Sequence, residues 1–216
     1  MTTPSATALS FLSLGDSYTI GESVEPADRW PVQLARRLRQ TGINVADPHL
    51  IARTGWTTAE LQAALAAAGP GKPYEVVSLL IGVNNQYRGG AAFQQLLDIY
   101  RTEFGQLLQT AIHFANNRPE RVVVLSIPDW GCSPFARDRD RAQISREIDA
   151  FNAAARLICQ AAGVAFVDIT PLTRAADPAS SGDAAQFAAD GLHYSGVHMK
   201  KWAEAALPVV RRMVNG

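Results

Sequence analysis

Apolar and polar positions alternate in blocks along this chain, and the spacing within each block changes between strand-like and helix-like periods. Residues 9–14 form a short apolar run that leads into the polar turn Gly15-Asp16-Ser17. From Trp30 to Gln40 the apolar positions Val32, Leu34, Ala35 and Leu38 fall at helical spacing, so strand, loop and helix follow in order. Residues 43–52 read as a weaker strand region interrupted by Asp47-Pro48. Thr57-Thr58-Ala59-Glu60 has the form of a capping box and predicts a helix over 57–68 that closes before Gly69-Pro70. Residues 74–81 are apolar almost throughout and partly β-branched, as a strand covered on both faces of a parallel sheet must be, which places this segment at the centre.

Beyond it, Phe93, Leu96, Leu97, Tyr100, Phe104, Leu107 and Leu108 recur at helical intervals and predict a long amphipathic helix with its apolar stripe toward the sheet. Residues 121–127 supply another strand, 142–162 a helix ended by Gly163, 164–168 a last strand and 197–213 a closing helix. The segment 170–190 carries Pro171, Pro178, Gly182 and small polar residues, and is expected to be a flexible surface loop. Repeated β-α alternation with short connections implies an α/β fold, a three-layer α/β/α sandwich around a parallel sheet, because each crossover must return over a face of that sheet. The length of 216 residues suits a single domain over 1–216.

Composition narrows the partners. Hydrophobic residues make up 47% and charged residues 19%, the profile of a globular protein. Twenty Lys plus Arg balance twenty Asp plus Glu, so no long-range field gathers nucleic acid or anionic lipid. No stretch reaches the roughly 18 consecutive apolar residues of a membrane-spanning helix, and membrane insertion is not expected. The segment 1–8 has no basic residue and no small-residue cleavage site follows, so no signal peptide and a cytoplasmic location are expected. Cys132 and Cys159 are too few for a disulfide framework and lack C-x-x-C spacing, which makes them free thiols.

In an open parallel sheet the loops leaving the strand C-terminal ends share one rim, and polar residues follow the strands here with regularity. Asp16 and Ser17 follow the first, Thr54 and Gly55 the second, Asn84 and Asn85 the third, and Asp129 the fourth. Taken alone, Ser17 would be a turn or cap residue, and Asn84 and Asn85 would shape a turn. A serine hydroxyl that acts as a nucleophile needs a base. Asp190-Gly191-Leu192-His193 supplies an imidazole with a carboxylate three residues away, close enough to orient the ring through its Nδ1 proton. His49, His113 and His198 have no Asp at that spacing. Backbone N–H groups at Ser17 and Gly55 and the side-chain amide of Asn84 are suited to a developing oxyanion. Asp16 fits a turn-holding role by accepting backbone hydrogen bonds and stays outside the catalytic set. Tyr87, Trp130 and Phe135 lie in rim loops, where they either line an acyl or alcohol pocket or anchor the loops. The four histidines form no H-E-x-x-H or Cys-His cluster, so no metal and no cofactor are expected.

Gly15-Asp16-Ser17, Gly55, Gly82-Val83-Asn84-Asn85 and Asp190-Gly191-Leu192-His193 resemble, in order, the four blocks of the SGNH or GDSL hydrolases. That resemblance implies a flavodoxin-like three-layer fold and metal-free ester hydrolysis. It also implies Ser17 as nucleophile, His193 as base, Asp190 as its partner, and Ser17, Gly55 and Asn84 at the oxyanion hole. Two positions depart from the family pattern: Asn85 stands where G-x-N-D is more frequent, and Tyr18 where smaller or aliphatic residues are also common. The expected substrate is a small-molecule ester with a short, acetyl-type acyl group, and the expected activity rises with pH through about 6 to 8 as the base loses its proton. Acyl length, alcohol and oligomeric state stay open. Two alternatives compete. One is a flavodoxin-like module without catalysis that cradles a phosphate or nucleotide on the segment 16–21. The other is a catalytically silent carbohydrate or acyl-chain binder on the same fold.

Overall fold

The computed structural model describes residues 7–69, 71–89, 92–181 and 183–215. Pro70, Gly182 and the first six residues, on which parts of the sequence reading rest, lie outside the described residues. Five strands, β1 (Phe11–Gly15), β2 (His49–Ala52), β3 (Val76–Leu80), β4 (Val122–Leu125) and β5 (Ala165–Val167), form one sheet in the order β2-β1-β3-β4-β5. All four pairings are parallel. Every residue of β1, β3 and β4 is buried, which matches their continuous apolar sequences, whereas the edge strands β2 and β5 are mostly half-buried. The segment expected at the centre is the central strand β3.

The helices in chain order are α1 (Ser17–Ile20), α2 (Trp30–Gln40), α3 (Thr58–Ala68), α4 (Val83–Tyr87), α5 (Phe93–Phe114), α6 (Arg141–Ala161), α7 (Thr170–Arg174), α8 (Pro178–Ser181) and α9 (Gly196–Asn215). Helix α2 packs on α9, while α3 packs on α5 and α5 on α6, so the sheet is sandwiched in three layers. The start of α3 is set as its sequence predicts: the Thr57 hydroxyl accepts from the Glu60 backbone, and the Glu60 carboxylate accepts from the Thr57 N–H at 2.8 Å. The stripe Leu97, Tyr100, Phe104, Leu107 and Leu108 of α5 is buried.

The segment 170–190 departs from expectation in part, because it holds helices α7 and α8 and buries some of its side chains, although most of its described residues stay exposed or half-buried. Thr170, Thr173, Ala176, Gln186 and Phe187 are buried. Small polar residues that read as loop are turned inward here. The Thr170 hydroxyl donates to Ser126 Oγ at 2.8 Å, Thr173 Oγ1 donates to the Thr170 carbonyl at 2.7 Å, and the Asp129 N–H donates to Thr173 Oγ1 at 3.1 Å. Buried hydroxyls with full partners stabilise rather than loosen a segment.

Strand order decides where the site lies. The chain leaves β1 toward one edge to form β2 and then crosses back to β3 on the other side, so the winding direction reverses between β1 and β3. A crevice opens outside the C-terminal ends of the two strands at such a reversal. Gly15 ends β1 opposite Leu80, and a Cβ there would lie 2.2 Å from Thr19 Oγ1 and 2.3 Å from the Leu80 carbonyl oxygen. Glycine is required for α1 to turn so closely over the sheet. Among the described residues no helix is long and apolar enough to cross a membrane.

Candidate active site

Asp16 follows β1 and caps α1, its Oδ1 accepting from the Tyr18 N–H at 3.0 Å. Ser17 is thereby the first residue of α1 and is buried at the rim. The turn-holding role expected of Asp16 is the one observed. Its other oxygen, Oδ2, is buried without a hydrogen-bond partner. Burial pushes the Asp16 carboxyl up to about 7, against the opposing hydrogen bond from Tyr18.

After β2 the chain turns through Gly55 at φ +84°, where a Cβ would meet nothing nearer than Arg88 Nη2 at 3.6 Å. The backbone conformation, not crowding, is what calls for glycine at this position. Arg88 donates to the Gly55 carbonyl at 2.6 Å and pairs with Glu60, which fixes the turn from outside. After β3, α4 presents Asn84, whose Nδ2 donates to the Trp56 carbonyl at 2.9 Å. That bond uses one amide hydrogen and leaves the second for the crevice. Neither the Ser17 nor the Gly55 backbone N–H is used by another group of the fold among the described residues.

Asn85 faces the other way. Its Oδ1 accepts from the Thr58 N–H at 3.1 Å and its Nδ2 donates to Thr58 Oγ1 at 2.7 Å, tying α4 to the first turn of α3. An amide suits this position because it both accepts and donates. The departure at 85 therefore alters the support of Asn84 and not the crevice itself.

Asp190 and His193 come from the loop before α9. His193 Nδ1 lies 2.6 Å from Asp190 Oδ2, while Asp190 Oδ1 accepts from the backbone N–H groups of Leu192 and His193, each at 2.9 Å. The Ser23 hydroxyl adds a bond to Asp190 Oδ2 at 3.0 Å. Burial works to raise the Asp190 carboxyl, but the bonds from the His193 ring and the two backbone N–H groups outweigh it and hold the group at about 2. Asp190 is thus ionised across the neutral range.

Ser17, Gly55, Asn84 and His193 line one cavity of about 170 Å³, with Asp190 behind His193. Among the described residues no hydrogen bond joins Ser17 to His193; they share the wall. The cavity gathers a hydroxyl, an imidazole held by a carboxylate, and amide donors, which are the groups that acyl transfer uses. Tyr18 also lines it, packing edge-on against His193 at 5.5 Å between ring centroids. Tyr87 and Trp130 line it as well, and the Phe135 ring centroid lies 6.2 Å from that of Trp130. The Trp130 indole is also an anchor, because its Nε1 donates to Gln86 Oε1 at 2.7 Å.

Asp129 is not in the cavity wall. It is fully buried, where its Oδ2 pairs with Arg174 at 2.8 Å and its Oδ1 accepts from the Gly131 N–H at 3.0 Å, so it builds the loop that carries Trp130. His198 is buried against Tyr194 with ring centroids 4.6 Å apart, and burial pushes it down to about 3. Among the described residues no group of three or more His, Cys, Asp or Glu side chains is placed to hold a metal ion. Cys132 and Cys159 are free thiols, pushed up by burial to about 11 and about 12. Sequence reasoning missed Ser23 and Arg88, isolated polar residues without a periodic or motif signal.

Comparisons with known proteins bear on the fold and the family. The structure matches TesA with a TM-score of 0.68 at 20% identity, covering 94% of this chain and 99% of that one. It matches the psychrotrophic esterase EstA from Pseudoalteromonas sp. with a TM-score of 0.67 at 13% identity, covering 96% and 99%. Axe2, an acetylxylan esterase from Geobacillus stearothermophilus, gives 0.65 at 18% identity, covering 94% of each chain. At such identities these likenesses show the fold. No curated protein sequence matches the chain significantly. The sequence profile of the GDSL-like lipase/acylhydrolase family matches residues 13–198. The chain belongs to the GDSL-like lipase/acylhydrolase family, and it is a carboxylic ester hydrolase.

Proposed function

We propose that the chain, acting as a single domain, hydrolyses short-acyl esters of small molecules through Ser17, His193 and Asp190 without a cofactor. The observation that carries this reading is the 2.6 Å contact from His193 Nδ1 to Asp190 Oδ2, which leaves Nε2 as the ring nitrogen available on the wall shared with Ser17. With Nδ1–H donated to the carboxylate, neutral His193 takes the Ser17 proton as Oγ attacks the ester carbonyl. The oxygen that becomes negative is met by the Ser17 and Gly55 N–H groups and the second Asn84 amide hydrogen. His193 then protonates the leaving alcohol, and an acyl-enzyme on Ser17 remains. Water, deprotonated by His193, attacks that ester and releases the acid. The ionised Asp190 stabilises the imidazolium formed in both halves.

The size of the cavity supports a short acyl group. A cavity of about 150 Å³ holds one benzene ring, and the one here is about 170 Å³. It therefore encloses an acyl group of about two to four carbons with the ester linkage. The family relation supports hydrolysis, and the acetylxylan esterase among the structural neighbours supports the acetyl end of the range. A phosphate-binding role is disfavoured because the Asp16 carboxyl already occupies an N–H at the start of α1, which has only four residues.

Nitrophenyl esters of two to about twelve carbons, assayed with wild type and Ser17→Ala, test the proposal together with fluorophosphonate labelling. The acetyl to butyryl esters are expected to be fastest, and Ser17→Ala to lose about a thousandfold or more, together with the label. Wild-type turnover in Ser17→Ala would end it.

A further inference from the structure

Next to the same cavity, side chains from two separate elements form an aromatic ledge around one cation. Tyr87 ends α4, while Trp130 and Phe135 come from the loop after β4. The ring centroids of Tyr87 and Trp130 lie 5.2 Å apart in an edge-to-face arrangement. The Arg139 guanidinium carbon sits 5.6 Å from the centre of the Tyr87 ring, 5.5 Å from Trp130 and 4.9 Å from Phe135. Trp130 is 4% exposed, and it is held through Gln86, whose Nε2 donates to Glu147 at 2.7 Å. Tyr87 and Phe135 are 46% and 41% exposed, and Tyr87 and Trp130 also line the Ser17 cavity, so the ledge is open to solvent and adjoins that cavity.

Arg139 differs from Arg88 and Arg141, the guanidinium groups bound into the loops nearby. Arg88 is consumed by Gly55 and Glu60, and Arg141 by the Gly131 carbonyl and Asp177. Among the described residues no carboxylate pairs with Arg139, and the contacts of its guanidinium are with the three rings. A guanidinium packed on ring faces keeps its five N–H groups pointing outward in its own plane, where they match a carboxylate in bidentate fashion. Arg139 is thus a positioned cation with open donors beside an apolar surface that suits a flat ring.

We infer that Tyr87, Trp130, Phe135 and Arg139 form a subsite for the part of the substrate outside the acyl pocket, selecting aryl esters that carry a carboxylate over neutral ones. This inference rests on the Ser17 cavity being the hydrolytic site. The ring lies on the ledge, and its carboxylate is held by Arg139. Recognition of this kind lowers KM, because the contact is made equally in the ground state and the transition state.

The test compares 4-acetoxybenzoate with its neutral methyl ester, using wild type, Arg139→Gln, Arg139→Lys and Ser17→Ala. The readout is the ratio of kcat/KM for the anionic ester to that for the neutral ester within each protein, so losses of folded enzyme cancel. A charge-assisted bond contributes enough to lower that ratio by about tenfold in Arg139→Gln. The change is expected in KM, with part of the preference kept in Arg139→Lys and a wild-type ratio that falls as salt is raised. An equal ratio in wild type and Arg139→Gln overturns the inference, as does a ratio insensitive to salt. Those outcomes leave the hydrolytic assignment standing if Ser17→Ala is inactive on both esters. Turnover of both by Ser17→Ala removes the hydrolytic assignment and the subsite together.

Discussion

Replacing Asp16 with asparagine probes the electrostatics directly beneath the nucleophile. The carboxyl is fully buried, has one hydrogen bond to the Tyr18 N–H, and keeps Oδ2 unpartnered, so its ionised form is poorly solvated. Burial raises it from 3.8 to about 7. In the unfolded chain it ionises near the ordinary value. Between about pH 4 and 7 the unfolded state has therefore released a proton that the folded state still holds, and folding stability falls as pH rises across that window. At 1.36 kcal/mol per pH unit the full effect has a ceiling of about 4 kcal/mol. It is absent below about pH 4, where both states are protonated, and constant above about pH 7, where both are ionised. The amide of the Asp16→Asn protein has no such proton to lose, and it retains the Oδ1 acceptor. Urea unfolding of both proteins from about pH 4 to 8 gives the stability difference, which is expected to shift in favour of Asp16→Asn by about 2 to 4 kcal/mol between about pH 4 and 7 and then level off. Subtraction cancels the groups common to both proteins. Asp190 titrates outside this window: its depressed carboxyl contributes stability above about pH 4 that is lost as pH falls toward 2. A difference that stays flat across the whole range would refute the reasoning.

Three further outcomes follow from the geometry. Ser23→Ala removes a donor from the Asp190 oxygen that faces His193; the carboxylate is then held less firmly and orients the ring less well, so kcat is expected to fall by about threefold to tenfold with KM little changed. A wild-type kcat in Ser23→Ala would reject a positioning role for Ser23. Gly55→Ala forces a side chain onto φ +84°; it is expected to lower stability by about 1 to 2 kcal/mol and kcat more than KM, and a wild-type kcat would remove Gly55 from the oxyanion site. Arg174→Met strands the buried Asp129 carboxylate; a cost of about 2 kcal/mol or more is expected in urea unfolding, reduced from the fully buried case because Arg174 is partly exposed.

What the sequence discloses and what it conceals divide along the range of the interactions involved. The capping box at Thr57 and Glu60, the continuous apolar run of β3 and the helical stripe of α5 are encoded within a few residues of themselves, so period and caps reveal them. The segment 170–190 reads as loop because the partners that bury Thr170 and Thr173 come from the loop after β4, 44 residues upstream. Nothing local distinguishes a threonine that completes an interior network from one that faces water. Asp129 illustrates the converse: it stands at the rim position where a functional carboxylate would stand, yet Arg174, 45 residues away, takes it into the scaffold.

The candidate site is legible for a different reason. A hydroxyl, an imidazole with its carboxylate, and an amide with a spare hydrogen are each supplied by few residue types, and the rule that parallel strands share a C-terminal rim places them together before any contact is known. The groups that hold them are interchangeable. Ser23 reaches Asp190 across 167 positions and Arg88 reaches Gly55 across 33, and many other donors would serve at either place. The reversal of winding between β1 and β3 brings Ser17 and Asn84 to neighbouring strand ends whatever these supports are. His193 has no such guarantee. It stands in a loop outside the sheet, and its orientation depends on the bonds that Asp190 draws from the backbone of Leu192 and His193 and from Ser23.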